Sequence, residues 1–423
     1  MADTDADDPE LTPTRPHGPE DRFAAFRYRA YTLYWLSRFF STFATQIFIV
    51  ALGWQVYDIT RDPLDLGLIG LTQFLPALLL VLVTGSAADR FGRRRIMALS
   101  ALVEAAIAVA LLVFTLSDPS EVWPVFALLI VFGSARAFYG PASSALVANL
   151  VPTDVFANAV SWNASAWQTA TIVGPVFGGL LYGAGATVAY GVATAMFAVG
   201  ALLVILIPQP PQRIEREPVG LQTVLAGFAY IRREKVVFGA ISLDLFAVLL
   251  GGAAALMPVF ARDILTVGPV GLGMLRAAPG IGALAMAFWL ARYPIRAHAG
   301  AVMLTTVALF GLFTVVFGFS TLAWLSIVAL IGMGAADMVS VVIRETLIQL
   351  WTPDELRGRV NAVNHVFLGA SNELGEFRAG TMAYLIGAVP AVVLGGFAAM
   401  GCAGLWVWLF PQLAKVQHLD GRH

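Results

Sequence analysis

Several carboxylates in the second half of the chain lie within long apolar stretches, where an ionised group is unfavourable. At the centre of a bilayer such a charge costs about 2.5–3.5 kcal/mol or more, so it normally faces a cavity or a partner. A carboxylate in a wet cavity can bind and release a proton near neutral pH. The candidate proton carriers are Asp244, Asp337, Glu373 and Glu376. For each of them, the alternative is a permanently paired structural charge.

Arginines in the same stretches are the expected partners of these acids. Arg38 and Asp244 stand at matching depths in the first and seventh stretches, so we predict that they pair, either as a gate or as a static ion pair. Asp337 and Arg344 are seven residues apart and share one helix face. Six acids face five arginines in all, which favours pairing; the acids are Glu104, Asp244, Asp337, Glu345, Glu373 and Glu376, and the arginines are Arg38, Arg136, Arg276, Arg344 and Arg378.

Glu373 and Glu376 are three residues apart and therefore lie on one face of a helix. Two carboxylates this close cannot both ionise cheaply, so one is expected to hold a proton. Arg378 follows them and could instead keep one of them ionised. Arg136 could attract an anionic ligand or tune a carboxylate, and both interpretations stay open. Glu104 is expected to reach toward Arg94 at the membrane surface.

Several uncharged side chains could give a cavity a polar and aromatic lining. The candidates are Gln46, Gln73, Asn163, Trp167 and Gln168. Hydrogen bonding between helices and anchoring at the membrane interface are the alternatives for these residues. We predict no metal site and no cofactor, because the single cysteine, Cys402, excludes both a disulfide pair and a cysteine metal cluster.

The elements that must position these residues are apolar segments. Of 423 residues, 58% are hydrophobic and 13% are charged, whereas a soluble domain carries about 25% charged residues. Segments of about 20 apolar residues are long enough to span a bilayer. We therefore predict an all-α integral membrane protein with twelve transmembrane helices, near 30–57, 64–87, 96–117, 122–148, 157–183, 186–207, 236–263, 269–291, 300–318, 321–350, 359–386 and 388–411.

The predicted helices form two pseudo-symmetric bundles of six, at 30–207 and 236–411. The stretches FGSARAFYGPASSALVANLVPTD and IGMGAADMVSVVIRETLIQLWTPDE align at an offset of 201 residues, which supports a duplication. Prolines and charges at 208–235 indicate a cytoplasmic linker, whose second part has the spacing of an amphipathic helix on the membrane surface. Residues 1–29 are acidic and predict a disordered tail without a signal peptide, and 412–423 form a second tail.

The distribution of basic residues sets the predicted orientation. With both termini in the cytoplasm, 19 of the 26 basic residues lie inside and only Arg61 and Arg262 lie outside. This bias favours an even number of crossings and a multi-pass protein of a bacterial inner membrane. A net charge of −1 gives no electrostatic reason to expect a nucleic-acid partner.

The loop after the second predicted helix resembles the signature loop of the major facilitator superfamily. It reads GSAADRFGRRR, and its matching residues are Gly85, Asp89, Arg90, Gly92, Arg93, Arg94 and Arg95. Gly92 permits a tight turn, and Asp89 lies at a helix end, where it can hold an opposing charge or a helix N-terminus. The resemblance implies the two-bundle fold and a conformational latch in this loop rather than a substrate contact.

Other segments resemble a particular branch of this superfamily. Gly174, Pro175, Gly178 and Gly179 are similar to the end of a motif linked to antiporters, although packing of small residues is an equal alternative. SLDLFAVLLGGAAALMPVFARDIL, GLGMLRAAPGIGAL, TPDELRGRVNAVN and GASNELGEFRAG are similar to the branch that holds the enterobactin exporter and related bacterial efflux proteins. This resemblance implies proton-driven export of a small amphiphile, such as a siderophore or a drug, by alternating access.

Other functions remain as alternatives. An importer or uniporter would use the same fold, and a membrane sensor or partner-binding protein could retain it. The chain has no H-E-x-x-H, P-loop or G-x-S-x-G motif, so we expect no enzymatic activity. The expected partners are a small-molecule substrate, protons and the lipid bilayer, and we expect a monomer.

Overall fold

The computed structural model describes residues 21–208 and 221–419, and all regular elements in these two ranges are helices. A short 3-10 helix, Ala24–Arg27, precedes the first long one. The long helices of the first half are α1 (Arg29–Thr60), α2 (Pro63–Phe91), α3 (Arg93–Leu116), α4 (Trp123–Leu146), α5 (Phe156–Ala184) and α6 (Ala186–Leu206).

The second half begins with the linker helix α7 (Leu221–Arg233). The seventh predicted span is interrupted and consists of α8 (Lys235–Gly251), a 3-10 turn (Ala254–Leu256), α9 (Met257–Val259) and a π-helix (Phe260–Ile264). The remaining helices are α10 (Gly268–Arg292), α11 (Ala299–Phe319), α12 (Ala323–Trp351), α13 (Asp354–Ile386), α14 (Ala388–Leu409) and the short α15 (Pro411–Ala414).

Ten helices in the described ranges are long and apolar enough to cross a membrane, which confirms the all-α membrane fold. Helices α5 and α13 occupy two of the twelve predicted spans but do not meet this criterion. Polar residues dilute both helices: α5 carries several amides and hydroxyls, and α13 carries charged residues along most of its length. Both helices are nevertheless long enough to span a bilayer.

The start of the chain that the structure describes differs from the predicted disordered tail. The 3-10 helix packs on α5, where Asn158 donates to the carbonyl of Arg22 at 2.9 Å and accepts from the amide of Ala25 at 3.2 Å. The indole of Trp162 also donates to the Arg22 carbonyl at 3.0 Å. Apolar burial of Ala24, Ala25 and Tyr28 explains the order here. Residues 1–20 lie outside the described ranges.

The described residues belong to two compact units. Unit 1 comprises those within Met1–Ala51 and Leu75–Pro218, and unit 2 comprises those within Leu52–Phe74 and Val219–His423. Residues 52–74, which belong to the predicted N-terminal bundle, therefore pack with unit 2. The contact is close: the backbone of Gly380 in α13 lies against that of Gly67 in α2.

Each unit has its own apolar core. In unit 1, the core near the start of α1 receives one buried side chain or more from each of α1, α3, α4, α5 and α6: Tyr31, Met97, Leu146, Ala159 and Val204. In unit 2, the core receives side chains from α8, α11, α12 and α14: Leu243, Met303, Ile343 and Trp406. These cores fix the helices that carry the intramembrane charges.

Candidate functional site

An ion pair between α8 and α12 lies inside unit 2. Arg344 pairs with Asp244, and the two side chains expose only 2% and 7% of their surface. Glu345 lies off this pair, with its carboxylate 3.7 Å from the Nε of Arg344. It also accepts a hydrogen bond of 3.0 Å from the amide of Asn364 in α13. The guanidinium of Arg344 is therefore committed mainly to Asp244.

Asp337 adds a second carboxylate to this pair. It lies two turns before Arg344 on α12 and interacts electrostatically with both Asp244 and Arg344. Asp244 and Asp337 line the same internal cavity, together with Ser340 and Thr306. The cavity has a volume of about 10 Å³, which is room for about one water molecule. Two carboxylates thus share one arginine at a site that can be hydrated.

Arg38 and Asp244, which were predicted to pair, each have other partners in the structure. Arg38 lies in unit 1, where its Nη1 donates to the hydroxyl of Tyr34 at 3.2 Å and to that of Ser143 at 3.3 Å. Asp244 pairs with Arg344 in its own unit. Depth along a helix does not give the helix face, and each of the two residues has described partners within its own unit.

A second charge cluster in unit 2 joins α10 and α13. Arg276 of α10 interacts electrostatically with both Glu376 and Glu373. Arg378, the predicted influence on these acids, instead extends toward α14: its Nη1 lies 3.2 Å from the sulfur of Met382, and its Nη2 lies close to Gly395. Residue spacing along one helix could not predict that Arg276 lies near these glutamates, because Arg276 belongs to another helix.

Helix α2 approaches the two glutamates closely at a glycine. A Cβ atom at Gly70 would lie 2.8 Å from the carboxylate of Glu373 and 3.1 Å from that of Glu376. A larger residue at position 70 would require the ends of these glutamate side chains to shift. Helix α2 therefore approaches both carboxylates closely at Gly70, while Glu373 and Glu376 stay half-buried.

A polar network lies at the C-terminal end of α1, within unit 2. Asp58 pairs with Arg262, and the hydroxyl of Tyr57 donates to Asp263. Arg61 bridges the two, 3.5 Å from Asp58 and 3.6 Å from Asp263. Arg262 and Asp263 belong to the π-helix, an element that often marks functional sites. This network was missed, although Arg61 and Arg262 are the two basic residues predicted to lie outside.

The signature loop caps two helix ends in unit 1. Gly92, with φ of 92°, is the one residue between α2 and α3 and provides the predicted tight turn. Arg93 donates to the carbonyl of Ala145 at 3.0 Å and to Asn149 at 2.9 Å, at the end of α4. Arg94 donates to the carbonyl of Ile205 at the end of α6. Cations at helix C-termini are favourable.

The remaining residues of the loop have fewer described contacts. Arg90 lies over the ring of Phe91, with its guanidinium carbon 5.5 Å from the ring centroid. Arg95 lines an apolar groove. Gly85 lies within α2, and the side chain of Asp89 lies outside what the structure describes, so the predicted latch stays a prediction.

Replacing Arg93 with alanine is expected to lower the thermal stability of the purified protein. The change removes a charged donor from the end of α4, which should cost about 1–2 kcal/mol. The melting temperature in detergent, read from fluorescence or size-exclusion profiles, measures the effect. Arg90→Ala is the matched control, because Arg90 contacts an aromatic ring rather than a helix end, and an equal loss for both variants would contradict the capping role.

The glycines of the fifth helix pack against α1 in unit 1. A Cβ atom at Gly174 would lie 2.6 Å from the Cβ of Gln46, and one at Gly178 would lie 3.0 Å from the Cα of Ile47. Pro175 and Gly179 are also buried. Close packing of small residues is therefore present here, and the antiporter role of this motif stays a prediction.

The predicted polar cavity residues are divided between the two units. Within unit 1, the amide oxygen of Asn163 lies 3.4 Å from the hydroxyl of Tyr31, and Trp167 is 48% exposed. The backbone carbonyls of Trp167 and Gln168 accept from Thr171. Gln73 belongs to unit 2 and donates to the carbonyl of Ile69 on its own helix at 3.2 Å. Local hydrogen bonding accounts for most of the contacts of this set.

A large apolar groove lies in unit 1 between α2, α3 and α4. Its volume is about 710 Å³, and its lining includes Phe91, Leu99, Val131 and Phe138, with Arg95 as its charged residue. Pockets for drug-sized ligands have volumes of about 300–1,000 Å³ and mostly apolar linings. None of the predicted polar residues lines this groove, since a search for polar residues cannot find an apolar site.

Arg136 and Glu104 occupy the middle of unit 1. The Nη1 of Arg136 donates to the hydroxyl of Thr45 at 2.9 Å, and its side chain is exposed. Glu104 was expected to reach toward Arg94, but it is 1% exposed, and Arg94 binds the end of α6. The face of α3 that carries Glu104 points into the bundle, so its carboxylate cannot reach the surface.

Comparison with known proteins places this arrangement among transporters. The sequence model of a family described as transmembrane secretion effector matches residues 20–421. The enterobactin exporter EntS of Shigella boydii is 25% identical over 375 residues, which cover 88% of this chain and 86% of that protein. Macrolide efflux protein A of Streptococcus pyogenes is 24% identical over 269 residues, which cover 62% of this chain and 66% of that protein.

A solved structure supports the fold. A bacterial homologue of the human lysosomal transporter Spinster, in an inward-facing and unoccupied conformation, superimposes with a TM-score of 0.71 at 14% identity. The match covers 91% of this chain and 98% of that one. The resemblance predicted from the signature loop is confirmed.

Proposed function

Because the chain belongs to the transmembrane secretion effector family of major facilitator transporters, we propose that it exports a small amphiphilic molecule in exchange for protons. Relatives that export enterobactin and macrolides support the direction of transport. The apolar groove with a single arginine supports an amphiphilic substrate. We further propose that the protein works as a monomer in a bacterial inner membrane, with both termini in the cytoplasm.

The observation that carries proton coupling is the sharing of Arg344 by Asp244 and Asp337. If both carboxylates ionise, one negative charge beside a hydratable cavity lacks a close partner. A proton on Asp337 removes that excess charge, because Arg344 then balances Asp244 alone. Asp337 is therefore the preferred carrier among the four candidates, and Asp244 is the acid that keeps Arg344 in place.

The glutamates of α13 are less suited than Asp337 to carry the coupling proton. Arg276 supplies them with a positive charge, and α2 approaches them closely at Gly70. With the termini in the cytoplasm, the network of Asp58 and Arg262 lies at the outer face and holds α1 against the π-helix. We assign this network to an outer gate, which must open before protons enter and substrate leaves.

Everted membrane vesicles test the proposal with two labelled probes, a macrolide and a catecholate siderophore. Energised wild-type vesicles should accumulate at least one probe, and an ionophore that collapses the proton gradient should abolish the accumulation. Asp337→Asn should abolish it as well, because the amide cannot carry the proton. Accumulation that survives the ionophore would reject proton coupling.

Glu345→Gln is the matched control for this experiment. It makes the same carboxylate-to-amide change on α12, but Glu345 is bound by Asn364 and does not line the cavity. We expect near-normal accumulation from this variant. Movement of probe down its gradient without proton movement would favour a uniporter, and binding without movement would favour a sensor.

A further inference from the structure

A buried carboxylate in unit 1 has no role in the proposed mechanism. Glu104 lies in the middle of α3 and exposes 1% of its surface. Its Oε1 has no hydrogen-bond partner within the part of the chain that the structure describes. An ionised carboxylate in such a place is strongly unfavourable, since neither water nor a donor stabilises its charge. Neutralisation by a proton relieves this cost.

The groups that face Glu104 come from the helices packed against α3. Helix α4 contributes Arg136 and the hydroxyl of Tyr139, both of which interact electrostatically with Glu104. Helix α6 carries one titratable side chain, Tyr190, whose hydroxyl is buried. Arg136 is therefore the charge that can stabilise an ionised Glu104.

Arg136 is engaged elsewhere in this structure. Its Nη1 donates to Thr45 of α1, and its guanidinium lies 5.7 Å from the ring centroid of Phe132. Thr45 offers a neutral acceptor, which binds a guanidinium less strongly than a carboxylate does. A guanidinium bound to Thr45 rather than to Glu104 is the arrangement expected when Glu104 carries no charge. The observed contacts thus correspond to a neutral Glu104.

We propose that Glu104 is a proton-binding site of unit 1, and that loss of its proton transfers Arg136 from Thr45 to Glu104. The proton leaves the carboxyl group for water, and the carboxylate that remains forms an ion pair with the guanidinium. The inference rests on the proposed proton coupling for its use in transport, but the site itself does not depend on Asp337. Proton occupancy in α3 would then set the position of a cation in the middle of the membrane span.

Infrared spectroscopy of the purified protein tests the site directly. Protonated carboxyl groups absorb separately from carboxylates, so a pH titration of the wild type should show a carboxyl band that Glu104→Gln removes. Glutamine has nearly the same shape and stays neutral, so this variant should fold normally. Glu121→Gln, at an exposed loop position, should leave the band unchanged. If the spectrum of Glu104→Gln keeps the carboxyl band seen in the wild type, the proposal is overturned.

A second variant separates proton binding from a merely structural role. Thr45→Val removes the neutral acceptor of Arg136 and should release the guanidinium toward Glu104. The carboxyl band of Glu104 should then disappear at a lower pH than in the wild type, because the ion pair favours the ionised form. An unchanged titration in Thr45→Val would contradict the transfer of Arg136.

Failure of this inference is distinguishable from failure of the proposed function. If the wild type exchanges probe without protons but the Glu104 band titrates as expected, the proton site stands and coupling falls. If the wild type is proton-coupled but the band is insensitive to Glu104→Gln, coupling stands and the site falls.

Discussion

Replacing Arg344 with alanine should sharply reduce the amount of folded protein in the membrane. Arg344 is the cation shared by Asp244 and Asp337, and its pair with Asp244 is almost fully buried. Removing one partner of a buried ion pair costs about 3–5 kcal/mol, since it leaves an uncompensated charge. We expect low yield, a broad size-exclusion profile and a lower melting temperature.

A charge-balanced double variant provides the control. Arg344→Ala combined with Asp244→Asn removes both charges of the pair, so it should recover part of the stability that the single variant loses. Arg357→Ala breaks an exposed pair with Asp354, in which the carboxylate is 83% exposed, and should have little effect. If Arg344→Ala melts at the same temperature as Arg357→Ala, the shared-arginine interpretation fails.

The second large effect is expected at the outer gate. Asp58→Asn combined with Asp263→Asn should weaken the hold of α1 on the π-helix, because it removes the acids that bind Arg262 and Arg61. Exposed pairs contribute up to about 1 kcal/mol each. A loss of about 1–2 kcal/mol changes the ratio of two states by roughly 5–30-fold. The ratio of open to closed molecules should therefore rise roughly 5–30-fold.

Distances between spin labels measure this opening. Labels on cysteines placed at Leu64 and Thr266, in a Cys402→Ser background, report on the ends of α2 and the π-helix. The double variant should show a new population at longer distance. Asp118→Asn is the control, because Asp118 lies outside the network and asparagine tolerates its left-handed φ of 50°. A distance distribution identical to that of the wild type would remove the network from the gating mechanism.

The sequence predicts the helices better than it predicts the partners of the charges. Apolar length determines where a chain can cross a bilayer, and so the long helices lie close to their predicted positions. Spacing along one helix correctly grouped Asp337 with Arg344, because residues seven apart share a face. Helices α5 and α13 show the limit of composition, since both lie at predicted spans and yet carry many polar residues.

Partners on other helices could not be read from spacing. Arg276 beside the glutamates of α13 and Arg344 beside Asp244 both depend on which helices are neighbours, and this is a property of tertiary packing. The same holds for Glu104, whose burial depends on the rotation of α3. The association of residues 52–74 with unit 2 also lies beyond any signal in a sequence duplication. Arg61 and Arg262, the two basic residues predicted to lie outside, are the available clue to the proposed gate.

The central claim is that protons and substrate move in opposite directions through this protein. Proteoliposomes tested first for uptake of labelled macrolide and siderophore can be equilibrated with the transported probe at equal concentrations inside and outside. An imposed proton gradient should then drive the probe uphill, against the direction of proton flow, and reversal of the gradient should reverse the movement. Protein-dependent equilibration of the probe that ignores the proton gradient in both directions would contradict the account.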